Sequence, residues 1–289
     1  MVRVQRRIGG FNMSLKNNIS ILWDGHTSGE LTSESCTEEN IASLDEFLDS
    51  LESGSIKAAE KKSEEWVVNS WVKHGILLNF SLRKKHPFVY GDVVYNDVLP
   101  LADTSNFSQR GTRNTPAATV IRRGAHIGSN AILMSPCFVN IGASIGDGTL
   151  VDSNDVVGSC AQVGANVKLG ANTVVGGVLE PVENTPVIIE DNVSLGAGCR
   201  VTSGFIVGEG SVIAENTLLT PRIPVYDLVL EEIIYGYLPP NRRAFTRFVH
   251  SDIGDHPLFK GGALKPAVVA LDIEDSTRIT IEKEDLLRK

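Results

Sequence analysis

Five cations gather near the C-terminal end of the chain: Arg242, Arg243, Arg247, Lys260 and Lys265. The chain that carries them has 289 residues and a formal net charge of −8. Such an overall field repels nucleic acid and anionic lipid, so no nucleic-acid or membrane partner is expected. A local basic cluster still suits a phosphorylated small ligand, with a solvated charged loop as the alternative. Taken alone, Asp152 reads as a turn residue, a common place for Asp. Arg113 alone reads as a solvated surface arginine, and His126 as an ordinary corner histidine. Cys36, Cys137, Cys160 and Cys199 show no C-x-x-C pair, which points to reduced thiols and a cytoplasmic setting. No phosphate-binding loop and no spaced histidine pair is present.

The elements that must position these residues follow from a repeat of six. Steps of six from Ile121 reach Ile127, Leu133, Val139, Ile145, Val151, Val157, Val163, Leu169 and Val175. The phase breaks across Gly176–Ile188. It returns at Ile189, Leu195, Val201, Val207, Ile213 and Leu219. Glycine often follows the aliphatic residue, as at 128, 146, 158, 164, 170, 176, 196 and 208. Repetition at this period marks a β-helix in which three short strands close one triangular coil. Each coil buries its faces only by stacking on its neighbours, and its hydrogen bonds run between coils as in a parallel ladder.

The expected fold is therefore mainly β. A left-handed parallel β-helix covers 113–222, a helical or mixed domain 1–112, and a small β cap 223–289. The handedness belongs to the class, as an exception to the usual right-handed crossover, and not to the spacing. Residues 176–188, with Pro181 and Pro186, read as a loop extruded from the coils, and loops of that kind are often functional. In the first domain, Ser35 and Glu38 suggest a capping box before a helix carrying Ile41, Leu44, Phe47, Leu48 and Leu51. A second helix is expected from Trp66 through Trp71 to Leu78, with both indoles in the core. Residues 84–112 read as strand and loop. In the cap, strands are expected at Ala267–Ile273 and Arg278–Ile281, and a short helix at Glu284–Arg288. The residues before Met13 are basic, lack an apolar stretch, and read as a flexible lead-in.

A closed prism has no interior pocket, so its binding sites lie between copies or beside extruded loops. Flat faces invite a cyclic homotrimer. By analogy of fold, hexapeptide-repeat proteins are mostly acyltransferases that hold a coenzyme A thioester between subunits. A metal-dependent enzyme of the carbonic anhydrase kind is the rival, and the missing histidines argue against it.

Six segments narrow the choice. They are SGSIKAAEKKSEEWVVNSWVKHGILLNFSL (Ser53–Leu82), VNIGASIGDGTLVDS (Val139–Ser153), VGSCAQVGANVKL (Val157–Leu169), GGVLEP (Gly176–Pro181), IIEDN (Ile188–Asn192) and EGSVI (Glu209–Ile213). With these the chain resembles the tetrahydrodipicolinate N-succinyltransferases from about residue 45 onward. The resemblance implies acyl transfer from succinyl-CoA to a cyclic imino dicarboxylate, as in lysine and diaminopimelate biosynthesis, without a metal. It puts the acidic catalytic residue of the V-D-[ST] motif at Asp152 and the arginine for the substrate carboxylate at Arg113. Arginine suits that task because its planar fork can grip a carboxylate through two hydrogen bonds. Small residues Gly196, Ala197 and Gly208 would let the pantetheine arm lie against the coils. Arg242 and Arg243 would hold the phosphates of coenzyme A.

One position departs from the pattern. GAGCRV (Gly196–Val201) places Arg200 where the family has a second catalytic glutamate, and Ser203 stands where a further glutamate is usual. Arginine there removes a base and adds a permanent cation. Three consequences are open: Asp152 works alone, the chain is an inactive scaffold or regulatory subunit, or Arg200 binds an altered acceptor or donor. The third is expected, in a specialised relative such as that of tabtoxin biosynthesis, with succinyl-CoA or acetyl-CoA as donor.

Overall fold

Inward-pointing aliphatic side chains build a three-faced prism. The computed structural model describes residues 2–63, 65–116, 118–182, 184–251 and 263–286. All sixteen repeat positions named above, from Ile121 to Leu219, are at most 4% exposed. Face I stacks His126–Ile127, Ser144–Ile145, Gln162–Val163, Ile188–Ile189, Ile206–Val207 and Tyr237–Leu238. Face II stacks Arg113–Asn114, Ile132–Leu133, Leu150–Val151, Lys168–Leu169, Ser194–Leu195 and Val212–Ile213. Face III stacks Thr119–Ile121, Cys137–Val139, Val156–Val157, Val174–Val175, Arg200–Val201 and Leu218–Leu219. Neighbouring strands on every face are parallel and keep the repeat aliphatics in register, as in Val151↔Leu169↔Leu195↔Ile213. The architecture is the expected left-handed parallel β-helix.

The tight corners explain the small residues. A Cβ on Gly158 would stand 2.1 Å from the backbone nitrogen of Gly177, so the coils could not close there. Asparagine fills many corner positions with positive φ, including Asn154 at 63° and Asn172 at 64°. Asn tolerates this left-handed conformation better than most residues.

The chain leaves the prism after Leu219 and returns. Tyr237–Leu238 adds to face I, and Arg243 and Ala244 pair with Val212 and Ile213 on face II. Stacking thus continues beyond residue 222. Strand Arg242–Ser251 then pairs antiparallel with Ala263–Asp272, and this extends face II into a ten-stranded sheet. The helix α4 (Asp275–Leu286) follows. It takes in the Arg278–Ile281 segment that reads as strand in sequence and overlaps the short helix expected at its end. Lys260 lies outside the described residues.

Ahead of the prism come α1 (Val2–Thr27), α2 (Glu38–Glu52) and α3 (Ser70–Leu82). The backbone before Met13 is part of α1 rather than a lead-in, and α1 as a whole leaves no clear mark in the sequence. Its Leu15 and Ile19 join Phe47, Leu48 and Ile76 in a core that also includes Ile141 and Cys160 of the coils. The helical domain and the prism therefore share apolar packing. Thr37, not Ser35, caps α2, and its side chain accepts from the Asn40 amide. Trp66 and Trp71 do not share a helix. Trp66 lies on the strand Glu65–Val68, and its Nε1 donates to Glu190 Oε1 at 2.8 Å. The backbone there pairs antiparallel with Ala59–Lys62, which breaks the helical reading of the aromatic spacing.

The extruded loop between Val175 and Ile188 is tied to the helices. Lys73 of α3 is fully buried and donates from Nζ to the Asn184 carbonyl. All four cysteines are free, and burial pushes the Cys137, Cys160 and Cys199 thiols up to about 11, 12 and 11. Among the described residues, no helix is long and apolar enough to cross a membrane.

Candidate active site

A groove of about 610 Å³ runs along the corner between faces II and III. The register sets its composition. Residues following Val151, Leu169, Leu195 and Ile213 stack on one another, and these are Asp152, Gly170, Gly196 and Ala214. Beside them run Ala171, Ala197 and Glu215. Past Asp152, three successive coils thus present almost no side chain, over roughly 14 Å at the usual strand spacing. Lys168, Ser194, Val212 and Arg243 line the face II side, and Ser276, Thr277 and Thr280 line the groove from α4. A channel of this width fits a thin, flexible chain.

Asp152 stands at one end of the series of small residues. It is half-buried, and its Oδ1 accepts from the Ser153 amide at 2.7 Å. Its own amide donates to Asp155 Oδ2 at 2.7 Å. Asp155 is 1% exposed. Burial pushes its carboxyl up to about 8, and the charge of Asp152 acts in the same direction against two backbone hydrogen bonds.

The groove brings together Asp152, Gly196, Ala197 and Arg243 of the residues singled out in sequence. The others lie elsewhere. Arg113 is exposed on face II, two coil spacings from the strand that leads into Asp152, or about 10 Å. Arg200 is exposed on face III, two coils from Val156 in the opposite direction. Gly208 is buried at a different corner, where a Cβ would stand 2.5 Å from the Pro240 nitrogen. Its missing side chain lets the coils stack there, away from the groove.

The arginines of the basic cluster have different partners. Arg242 donates from Nε to Asp227 Oδ2 at 2.8 Å, with the two side chains 11% and 0% exposed. It is a structural partner for a buried carboxylate and does not line the groove. The Arg243 side chain is 40% exposed and makes a surface pair with Glu274 at 3.2 Å. Arg247 stacks on Phe245, 4.3 Å from the ring centre. His126 sits on a face I strand rather than a corner, with Nδ1 2.7 Å from the Glu52 carbonyl oxygen. Burial lowers its pKa below the usual histidine value.

Sequence reasoning missed Lys168, Glu215, Asp155 and the α4 hydroxyls. Lys168 had a signal, since it occupies the outward position just before the repeat residue Leu169. Glu215 had a signal too, three positions along the corner series from Ser153. The α4 side chains had none, because Thr280 reads as strand in sequence and Ser276 and Thr277 fall between two expected strands. Among the described residues, no three His, Cys, Asp or Glu side chains are grouped to hold a metal ion.

Stacked hexapeptide coils with a small-residue groove along one corner define a hexapeptide-repeat acyltransferase. The pattern "Hexapeptide repeat of succinyl-transferase" matches residues 186–221, and "Tetrahydrodipicolinate N-succinyltransferase N-terminal" matches residues 14–82. The chain is 34% identical over 278 residues to a 2,3,4,5-tetrahydropyridine-2,6-dicarboxylate N-succinyltransferase of Dechloromonas aromatica, covering 95% of this chain and 98% of that one. It is 37% identical over 245 residues to the enzyme of the same name from Idiomarina loihiensis, covering 83% and 86%. For the counterpart from Pseudoalteromonas translucida the identity is 37%, covering 95% and 97%. The chain belongs to the tetrahydrodipicolinate N-succinyltransferase family.

Proposed function

We propose that the chain transfers a short acyl group from coenzyme A to the nitrogen of tetrahydropyridine-2,6-dicarboxylate or a close cyclic imino or amino dicarboxylate. The donor is succinyl-CoA or acetyl-CoA. The observation that carries this reading is the corner groove, where a half-buried carboxylate meets three coils of Gly and Ala with Arg243 at the far end. The pantetheine arm lies along Gly170, Gly196, Ala197 and Ala214, and Arg243 faces its phosphates. Water adds across the C=N bond of a cyclic imine acceptor to leave an N–H. That nitrogen attacks the thioester carbonyl, the new C–N bond forms, and the C–S bond breaks. Coenzyme A leaves as the thiolate, which takes up a proton to become the free thiol. Asp152 takes the proton that the nitrogen sheds, a role worth about 10²- to 10⁴-fold in rate. Arg113 offers a carboxylate grip two coils away.

The reading includes a cytoplasmic homotrimer in which a partner subunit closes the groove. Face III supports this, since Val156 and Leu218 are 37% and 38% exposed on the isolated chain. A flat apolar face next to the groove is suited to a second copy.

Arg200 is the residue that separates this chain from a housekeeping succinyltransferase. Its side chain is exposed on face III, and its Nη1 donates to the Gly198 carbonyl at 3.4 Å. It binds a carboxylate of the acceptor or donor. Thiol release with succinyl-CoA and acetyl-CoA as donors tests this. Arg200→Glu is expected to raise KM for the carboxylate-bearing substrate at least about tenfold with a smaller change in kcat, the mark of lost uniform binding. Unchanged KM for both acceptor and donor would remove Arg200 from the site. Coenzyme A binding with no thiol release from any donor would favour the catalytically impaired scaffold.

A further inference from the structure

The turn that carries Asp152 rests on a second carboxyl group. Asp155 points into the prism and is 1% exposed. Its Oδ2 accepts from the Asp152 amide at 2.7 Å, and its Oδ1 accepts from the Thr173 amide at 2.8 Å. One bond reaches the start of its own turn. The other reaches the next coil, whose Gly170 and Ala171 form the adjoining stretch of groove.

Packing does not call for an acid at this position. The register Val156↔Val174↔Arg200↔Leu218 places Thr173, Cys199 and Thr217 at the same inward point of the following coils. All three are at most 1% exposed, so small neutral side chains fill the space. The two threonine hydroxyls turn back on their own turns, Thr173 Oγ1 to the Gly170 carbonyl and Thr217 Oγ1 to the Ala214 carbonyl, while Cys199 Sγ donates to the Ala214 carbonyl of the next coil. Cys199 faces the matching pair of amides, Gly196 and Thr217, but a thiol is a weak acceptor and cannot grip two amides as the Asp155 carboxyl does. A carboxyl group at this depth is costly unless its hydrogen bonds do something a threonine cannot. Burial pushes it up to about 8, which measures that cost.

We infer that Asp155 is a positioning residue for Asp152, clamping the Asp152 amide to the Thr173 amide and so fixing the base-bearing turn against the groove wall. The inference rests on the reading of Asp152 as proton acceptor. Positioning errors of about 1 Å can cost on the order of 10²-fold in rate without weakening binding.

Asp155→Thr tests it, because threonine is what neighbouring coils carry at this point. The full-length variant is expected to melt within a few degrees of the parent, to lose about 10- to 100-fold in kcat, and to keep KM for the thioester within about twofold. Asp155→Asn keeps the shape but loses one acceptor, and it is expected to behave likewise should the threonine variant fold poorly. Asp152→Asn, measured alongside, separates the two layers of the reading. A folded Asp155 variant with parental kcat, beside an inactive Asp152→Asn, overturns the positioning role alone. Loss of melting temperature, kcat and KM together in both Asp155 variants makes Asp155 a structural residue and also overturns it. Parental kcat in Asp152→Asn overturns the role of Asp152 and the inference with it.

Discussion

Replacing Asp152 by asparagine should lower kcat by about 10²- to 10⁴-fold and leave coenzyme A binding unchanged. The two side chains have nearly the same shape, so the turn should survive. Asparagine's oxygen can still accept from the Ser153 amide, as Asp152 Oδ1 does at 2.7 Å. What disappears is the proton acceptor. In the proposed reading the thioester arm lies on the Gly170, Gly196 and Ala214 steps of the corner, none of which the substitution touches. Calorimetry with coenzyme A should therefore give the parental affinity while thiol release collapses. A thousandfold loss corresponds to about 4 kcal/mol of transition-state stabilisation. A second groove carboxylate could mask the effect, but Glu215 stands three coils away, roughly 14 Å along the corner.

The second large effect separates two adjacent arginines. Arg242→Ala should destabilise the fold by about 3–5 kcal/mol, because it strands a buried carboxylate. Asp227 is 0% exposed, and its Oδ1 also accepts from the Val229 and Leu230 amides. Those two bonds hold the carboxylate in place after its cation has gone, so the charge stays buried and uncompensated. Arg243→Ala should leave stability within about 1 kcal/mol, since its partner Glu274 is 67% exposed and water screens the pair. Its cost should appear instead as a higher KM for the thioester. Thermal melting and initial-rate kinetics on both variants check the contrast. Equal melting points for the two, or a KM effect confined to Arg242→Ala, would reverse the assignment.

The prism was legible because its physics repeats. One inward aliphatic every six residues is a signal that accumulates over sixteen positions, and every one of them is buried. The corner site was half legible for the same reason: Asp152 and Gly196 each follow a repeat residue, and phase alone puts them at one corner. The Asp227 bond of Arg242 was not legible because sequence shows a cluster of cations but not which of them already has a partner. Asp227 lies fifteen positions earlier and meets Arg242 only through the cap sheet, where strand Val225–Asp227 pairs with Ala263–Asp272 and that strand with Arg242–Ser251. Trp66 was misjudged because its spacing to Trp71 fits a helix, while the strand pairing of Ala59–Lys62 with Glu65–Val68 takes it first. Local spacing decides a conformation only where no tertiary partner competes.

A crystal structure of the protein soaked with coenzyme A tests the central claim most directly. The pantetheine arm should lie along Gly170, Gly196 and Ala214, with its sulfur beside Asp152 and its phosphates toward Arg243. Coenzyme A seated instead on face I, in the cavity of about 590 Å³ lined by Trp66, Ser144, Gln162 and Glu190, with the corner groove empty, would contradict it.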